Sequence, residues 1–337
     1  MPRLKLSFIS AFNERVDPLM NGTVKAEGID IIPTYSHPSE TFWRQLKFQE
    51  FEVGEMSMSS YLIARERGFD MIALPVFPSR RLFHTELSYN VDSGIKEPGD
   101  LAGKRIGVGE YQQTAALWQR GILEHDFGVS QYKVHWHMER TEELSHGGAT
   151  GFTPPPGISF QRIPPDKSMA SMLVNNELDA AAIGSPWRNM PNVIGRSHRI
   201  PGTGGDWSKV KLLFTDRMAE AARFFKKWGF LPVNHAYTIR GDVYKKYPWV
   251  AFNLYTGFVK AKEYFNAKLL DSIPTALFFG REYLAMTRET FGDDPFPYGV
   301  KANRKMLETL IDFSHEQGLT SKKMKVEELF AESTLEL

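Results

Sequence analysis

The 337-residue chain contains no cysteine. Disulfides, thiolate nucleophiles and Cys-ligated zinc or iron–sulfur centres are therefore excluded, while the redox compartment is left undetermined. Net charge is also nearly absent: 41 Lys and Arg stand against 40 Asp and Glu, a formal +1. A nucleic acid or an anionic membrane surface calls for a basic excess, so neither is expected as the main partner. No apolar run is long enough to span a bilayer. At the N-terminus Leu4, Leu6 and Phe8 alternate with Lys5 and Ser7, which is strand periodicity, too short and too polar for a signal-peptide core. The expected location is cytoplasmic. There is no internal repeat, no Gly-x-Ser-x-Gly, no phosphate-cradling lysine loop and no zinc-protease histidine pair.

What is present is the material for a sizeable core, 42% hydrophobic and 13% aromatic. The length suits two ordinary domains or one large α/β domain. Apolar runs at 5–10, 23–33, 51–53, 71–76, 105–108, 132–137, 179–183, 210–214 and within 230–240 read as strands. Helical spacing marks 37–48, a stretch from Tyr61 to near Gly68, and 114–123, 166–176, 217–228, 247–265, 274–291 and 301–317. Ser39 is the expected N-cap of the first of these. Residues 92–103, 141–165 and 197–209 read as loops, the last two rich in glycine or proline. Strands alternating with helices point to mostly parallel sheets. Extended crossings near 83–89 and 233–240 divide the chain into two lobes with a cleft between them. The first lobe takes 1–90 and 238–337, the second 91–237, and the helical C-terminal third is expected to pack on the first.

The stretch 50–89 organises this reading. Its two strands are expected to lie side by side and to end in polar groups at one sheet edge, where ligands bind in open α/β sheets. Glu55, Ser57 and Ser59 follow the first strand; Arg80, Arg81 and His84 follow the second. Guanidinium matches a carboxylate in bidentate fashion, so Arg80 or Arg81 is a candidate clamp and the other a surface arginine. His84 and His235 are candidate proton donors, each weighed against a hydrogen-bonded structural histidine. Glu55 is a base or hydroxyl acceptor, or a helix-start acid. The serines bind hydroxyls or cap the next helix. The turn Glu110, Tyr111, Gln112, Gln113, Thr114 opens a helix whose N-terminus suits a carboxylate; it lacks the third glycine of a dinucleotide fingerprint. Arg44 and Trp118 complete the substrate-binding candidates. His135 and His137 share a strand face at metal-like spacing but lack a third ligand nearby, so a solvated face is the preferred reading. Trp249, Phe252, Leu254, Tyr255, Phe258 and Val259 form a helical stripe expected to be core.

The segments FWRQLKFQEFEVGEMSMSSYLIARERG, IALPVFPSRRLFH, GKRIGVGEYQQTAALWQRGIL, LPVNHAYTIR with YPW, and DPFPYGVKANRKMLETLIDFSHEQGL resemble, in order and spacing, the 4,5-dihydroxyphthalate decarboxylase family. They cover most of the chain apart from the loops around 147–157 and 202–205. The resemblance implies a two-lobed α/β fold of the type II periplasmic-binding-protein kind. Each lobe is a mixed, mostly parallel sheet flanked by helices, with the ligand cleft between lobes. It also implies loss of carbon dioxide from a hydroxylated aromatic acid or diacid, without an organic cofactor. The expected partner is that small aromatic acid; a homo-oligomer is compatible with the sequence. The competing class is a substrate-binding protein of an ABC-type transporter for a carboxylic acid. A third is a cleft enzyme acting on a non-aromatic acid.

Overall fold

The computed structural model describes residues 3–183 and 206–337. The stretch 184–187 and the glycine-rich segment 202–205 lie outside them. The strands are β1 (Leu4–Ser10), β2 (Ile29–Tyr35), β3 (Val53–Ser57), β4 (Met71–Leu74), β5 (Ser88–Asn90), β6 (Arg105–Val108), β7 (His135–Met138), β8 (Ser159–Arg162), β9 (Ala180–Ala181), β10 (Val210–Leu212) and β11 (His235–Arg240). The α-helices are α1 (Asp17–Met20), α2 (Pro38–Phe48), α3 (Met58–Glu66), α4 (Thr114–Phe127), α5 (His146–Thr150), α6 (Met169–Val174), α7 (Arg217–Trp228), α8 (Gly241–Lys246), α9 (Trp249–Ala267), α10 (Gly280–Phe291) and α11 (Arg304–Glu316).

Two sheets form. The first has the order β2-β1-β3-β11-β4, the second β10-β5-β9-β6-β7-β8. β1 pairs in parallel with β2 and β3, while β11 runs antiparallel between β3 and β4. In the second sheet β9, β6, β7 and β8 are parallel, with β5 and β10 antiparallel at one side. This is a two-lobed α/β architecture with mixed sheets. β2 carries Pro33, tolerated because β2 is an edge strand and proline cannot donate into a central ladder.

β3 and β4 were expected to be neighbours, but β11 inserts between them. The strand that returns from the second sheet thus lies beside β3, and His235 pairs in register with Ser57. Gly54 lets α2 sit on β3: a Cβ there would come within 2.7 Å of the Gln45 amide. That amide bonds both the N–H and the C=O of Phe51.

The C-terminal third divides. α9 covers the first sheet, burying Val250, Leu254 and Phe258 against Phe8, Val53 and Tyr237. Its stripe is narrower than expected, since Trp249 and Phe252 are exposed. α11 instead inserts Phe313 between Trp118, His125 and Trp228, so it packs against α4 and α7 and not against the first lobe alone. The loop expected over 141–165 contains α5 and β8, and α2 is capped by His37, not Ser39.

Candidate functional site

Antiparallel pairing of β3 with β11 sets Tyr237 opposite Glu55 and His235 opposite Ser57. Side chains two residues apart share a strand face, so Glu55 and His235 meet. His235 Nδ1 lies 2.6 Å from Glu55 Oε1. Glu55 Oε2 accepts from the Ala11 N–H at 2.9 Å and the Ser10 hydroxyl at 3.2 Å. Ser10 in turn bonds the Tyr237 hydroxyl at 2.9 Å. All are buried. Burial pushes the Glu55 carboxyl up, but the His235 charge and these hydrogen bonds outweigh it and hold the group below the ordinary carboxylate range. An ionised Glu55 fixes the proton of His235 on Nδ1. Nε2 makes no hydrogen bond among the described residues.

A second set of contacts joins β3 to the start of α4. Thr114 Oγ1 lies 2.8 Å from Ser57 Oγ and 3.1 Å from Ser59 Oγ, and accepts the Ser59 N–H at 3.0 Å. The Ser59 hydroxyl donates to the Gln112 carbonyl at 2.5 Å. Elements of the two sheets are thereby bonded directly.

A third cluster surrounds Glu110, which is fully buried. Its carboxylate pairs with Arg140 and takes hydrogen bonds from the Gln112 amide and, at 3.0 and 3.1 Å, from the His146 N–H. Burial raises this carboxyl, yet the charges of Arg140 and His146 and the backbone bond keep it below the usual range. His146 Nε2 reaches the Ser39 carbonyl at 3.1 Å. The Phe42 ring links the clusters, with its centroid 4.7 Å from His235 and 5.5 Å from His146. His37 completes the rim: burial first, then the charges of Arg140 and His235, lower its pKa, with Glu55 opposing. Its Nδ1 accepts the Ser39 N–H, so the neutral ring carries its proton on Nε2. The assembly sets the imidazoles of His235 and His146 against the buried Phe42 ring, with the Arg140 guanidinium on Glu110 nearby, which suits an aromatic anion.

The structure thus brings together Glu55, His235, Ser57, Ser59, Glu110, Gln112 and Thr114. It places the other candidates elsewhere. His84 is fully buried with Nε2 2.6 Å from Glu220 and its ring against Phe214 and Phe224; α7 holds it in the core. Arg81 is 55% exposed and pairs with Glu86. Arg80 is buried, donating to the carbonyls of Leu231 and Pro297 and to Asn303. Neither arginine joins the Glu55 cluster, because the backbone at Arg80 and Arg81 pairs with Val233 and Pro232 of the second crossing. Arg44 lies on the outer side of α2, paired with Glu50. Trp118 is core and donates Nε1 to the Val233 carbonyl at 2.8 Å. Tyr111 is core beneath the Arg120 guanidinium, its hydroxyl on Gln131. His135 and His137 bond Ser159 and Gln161 of β8. Among the described residues no three His, Asp or Glu side chains are arranged to hold a metal ion.

Ser10, His37, Phe42, Arg140 and His146 went unread in the sequence. A signal was present for two of them. Ser10 ends β1 and Arg140 lies two residues past β7, and the carboxyl ends of parallel strands are where ligand-binding groups collect.

No family model matches the chain. Its fold is that of periplasmic binding proteins. It aligns with the aliphatic sulphonate binding protein SsuA of Escherichia coli over 98% of this chain and 92% of that one, with a TM-score of 0.52 at 14% identity. The alkanesulfonate-binding protein SsuA of Xanthomonas axonopodis pv. citri aligns over 98% of both chains, with a TM-score of 0.53 at 13% identity. Sequence relatives are closer. A 4,5-dihydroxyphthalate decarboxylase of Pseudomonas putida is 33% identical over 67% of this chain and 83% of its own length. The enzyme of the same name from Comamonas testosteroni is 30% identical over 100% of this chain and 99% of its own length. The chain belongs to the 4,5-dihydroxyphthalate decarboxylase family.

Proposed function

We propose that the protein is a carboxy-lyase that removes one carboxyl group from a hydroxylated aromatic diacid of the 4,5-dihydroxyphthalate type, without an organic cofactor. The observation that carries the reading is the buried His235–Glu55 pair at the edge of the first sheet. It holds an imidazole in one tautomer, with its second nitrogen uncommitted, beside the Phe42 ring.

A ring carboxylate with a hydroxyl para to it leaves when its ring carbon is protonated. His235, as imidazolium, gives its Nε2 proton to that carbon. The carbon–carbon bond then breaks, carbon dioxide departs, and the electron pair of the broken bond restores the aromatic ring. The net change is replacement of a carboxylate by a hydrogen, consuming one proton that His235 regains from solvent. Glu55 stabilises the imidazolium. Arg140, His146 and the N-terminus of α4 supply the positive potential for the carboxylates. The hydroxyl of Ser57 and the Nε2–H of His37 are the donors for the ring hydroxyls.

A positioned general acid contributes about 10²–10⁴-fold. His235→Asn is expected to lower kcat for carbon dioxide release from 4,5-dihydroxyphthalate by about 10²-fold or more, with a much smaller change in KM. Folded His235→Asn enzyme that keeps the wild-type rate removes His235 from the acid role. A wild-type protein that binds the acid tightly and releases no carbon dioxide would instead be a binding protein.

A further inference from the structure

Arg80, offered by its sequence position as a clamp for an anion, sits in a cationic cluster separate from Glu55 and His235. Three cations wrap the turn at 294–298. The Arg15 guanidinium lies 4.0 Å over the Phe296 ring and donates to the Pro78 carbonyl at 2.8 Å. Arg80 donates to the Pro297 carbonyl at 2.9 Å. Lys262 Nζ donates to the Phe296 carbonyl and Asp294, both at 2.6 Å, and lies 4.7 Å from the Tyr298 ring. Against these stand Asp294 and the Arg15 partner Glu14, both about half exposed.

Three donors in this cluster are buried and make no hydrogen bond among the described residues: Arg15 Nε, Arg80 Nε and the Tyr298 hydroxyl. Such groups are rare in native proteins, and each calls for an unseen partner. All three belong to residues at one turn, two arginines and a phenol. Water would satisfy the hydrogen bonds but not the surplus of buried positive charge; an anion does both. We infer that Arg15, Arg80 and Tyr298 form a binding site for one small anion, of halide or single-carboxylate size, distinct from the His235 cluster. The burial that lowers the Arg80 pKa to about 10 and also depresses Lys262 is consistent with such an occupant.

The probe is bromide. Crystals of the full chain soaked in sodium bromide are expected to show an anomalous peak within hydrogen-bonding distance of the Tyr298 hydroxyl and at least one of the two Nε atoms. In solution, bromide should raise the melting temperature saturably, and Tyr298→Phe and Arg15→Gln should each weaken that effect at least 10-fold. Phthalate, which lacks a ring hydroxyl, separates two sources of the anion. Displacement of bromide by phthalate assigns the site to an aromatic carboxylate, retention assigns it to a free inorganic anion, and both uphold it. A map with water or nothing at this position, or variants with the wild-type bromide response, overturns the inference. Neither readout uses catalysis, so the result stands apart from the decarboxylase reading.

Discussion

Glu55 and Glu110 are both buried and both held ionised, by His235 and by Arg140 respectively. Their folded pKa values lie below the ordinary 4.5. As pH falls, the unfolded chain takes up these protons first. Their contribution to stability is therefore complete above about pH 4.5 and is lost as pH drops through the folded values. His37 has the same sign: its folded pKa lies below 6.5, so the unfolded state binds more protons between the two values and stability rises with pH there. Melting temperatures should fall steeply below about pH 4.5. Glu110→Gln should flatten that acid limb. It should also cost about 3–5 kcal/mol near neutrality, because Arg140 loses its buried carboxylate. An unchanged acid limb in Glu110→Gln would show that Glu110 is not held ionised.

Residue identity was the legible part of the site, and environment was not. Glu55, Ser57 and His235 could be singled out because they flank apolar strands. Arg80 and Arg81 are chemically identical neighbours, and what separates a buried guanidinium from one salt-bridged at the surface is tertiary packing. His146 lies in a stretch whose glycines and prolines erase periodicity, so nothing local advertised it, and Arg140 was marked only by its place just past the end of β7. His84 stands in an apolar crossing much as His235 does, and only α7 with its Glu220 decides that it is core.

At the scale of elements, α4 does two jobs. Its first residue, Thr114, meets Ser57 and Ser59, while its middle passes under α11. Gly121 makes that crossing possible, since a Cβ there would lie 2.1 Å from the Phe313 ring. Alanine in a helix interior is normally favoured over glycine by about 0.5–1 kcal/mol. Overpacking a core costs about 1–3 kcal/mol, so the clash decides the sign. Gly121→Ala should lower stability by about 1–2 kcal/mol, read from chemical denaturation, and a stabilised variant would show that α11 yields. Thr114→Val should cost about 1–3 kcal/mol, because the Ser59 N–H loses its acceptor, while Thr114→Ser should restore most of it. Equal losses in both would mean that the methyl, not the hydroxyl, matters. The boundaries of α7 were readable because it is amphipathic and ends at Gly229; α4, buried on most sides, runs past the expected Leu123 to Phe127 before Gly128 ends it. The place of β11 was not, since strand neighbours far apart in sequence are chosen by the assembled sheet and not by the strand's own pattern.

For the whole molecule, the two sheets are joined by paired crossings and by α11. The Asn234 N–H donates to Ser79 at 2.8 Å and the Arg81 N–H to Pro232 at 3.1 Å, making the crossings one ribbon. Phe313 then contacts the rings of Trp118, His125 and Trp228. Phe313→Ala should cost about 3–5 kcal/mol. Because α11 also contacts α3 beside the first sheet, the loss should broaden the thermal transition; a sharp transition at the wild-type temperature would show that α11 is dispensable to the union. Two lobes were legible from the alternation of strand and helix. The division of the C-terminal third was not, because an apolar helix face does not say which surface awaits it.

The small ring of hydroxyls between Ser57, Ser59 and Thr114 is fixed on one side and free on the other. Ser59 gives its only hydrogen to the Gln112 carbonyl, and Thr114 receives the Ser59 N–H. Across the 2.8 Å between Thr114 and Ser57 either hydroxyl can donate. A guest with an oxygen to offer can turn the Ser57 hydrogen toward itself, beside His235, and let Thr114 donate to Ser57 instead, without any bond between the lobes having to be broken first.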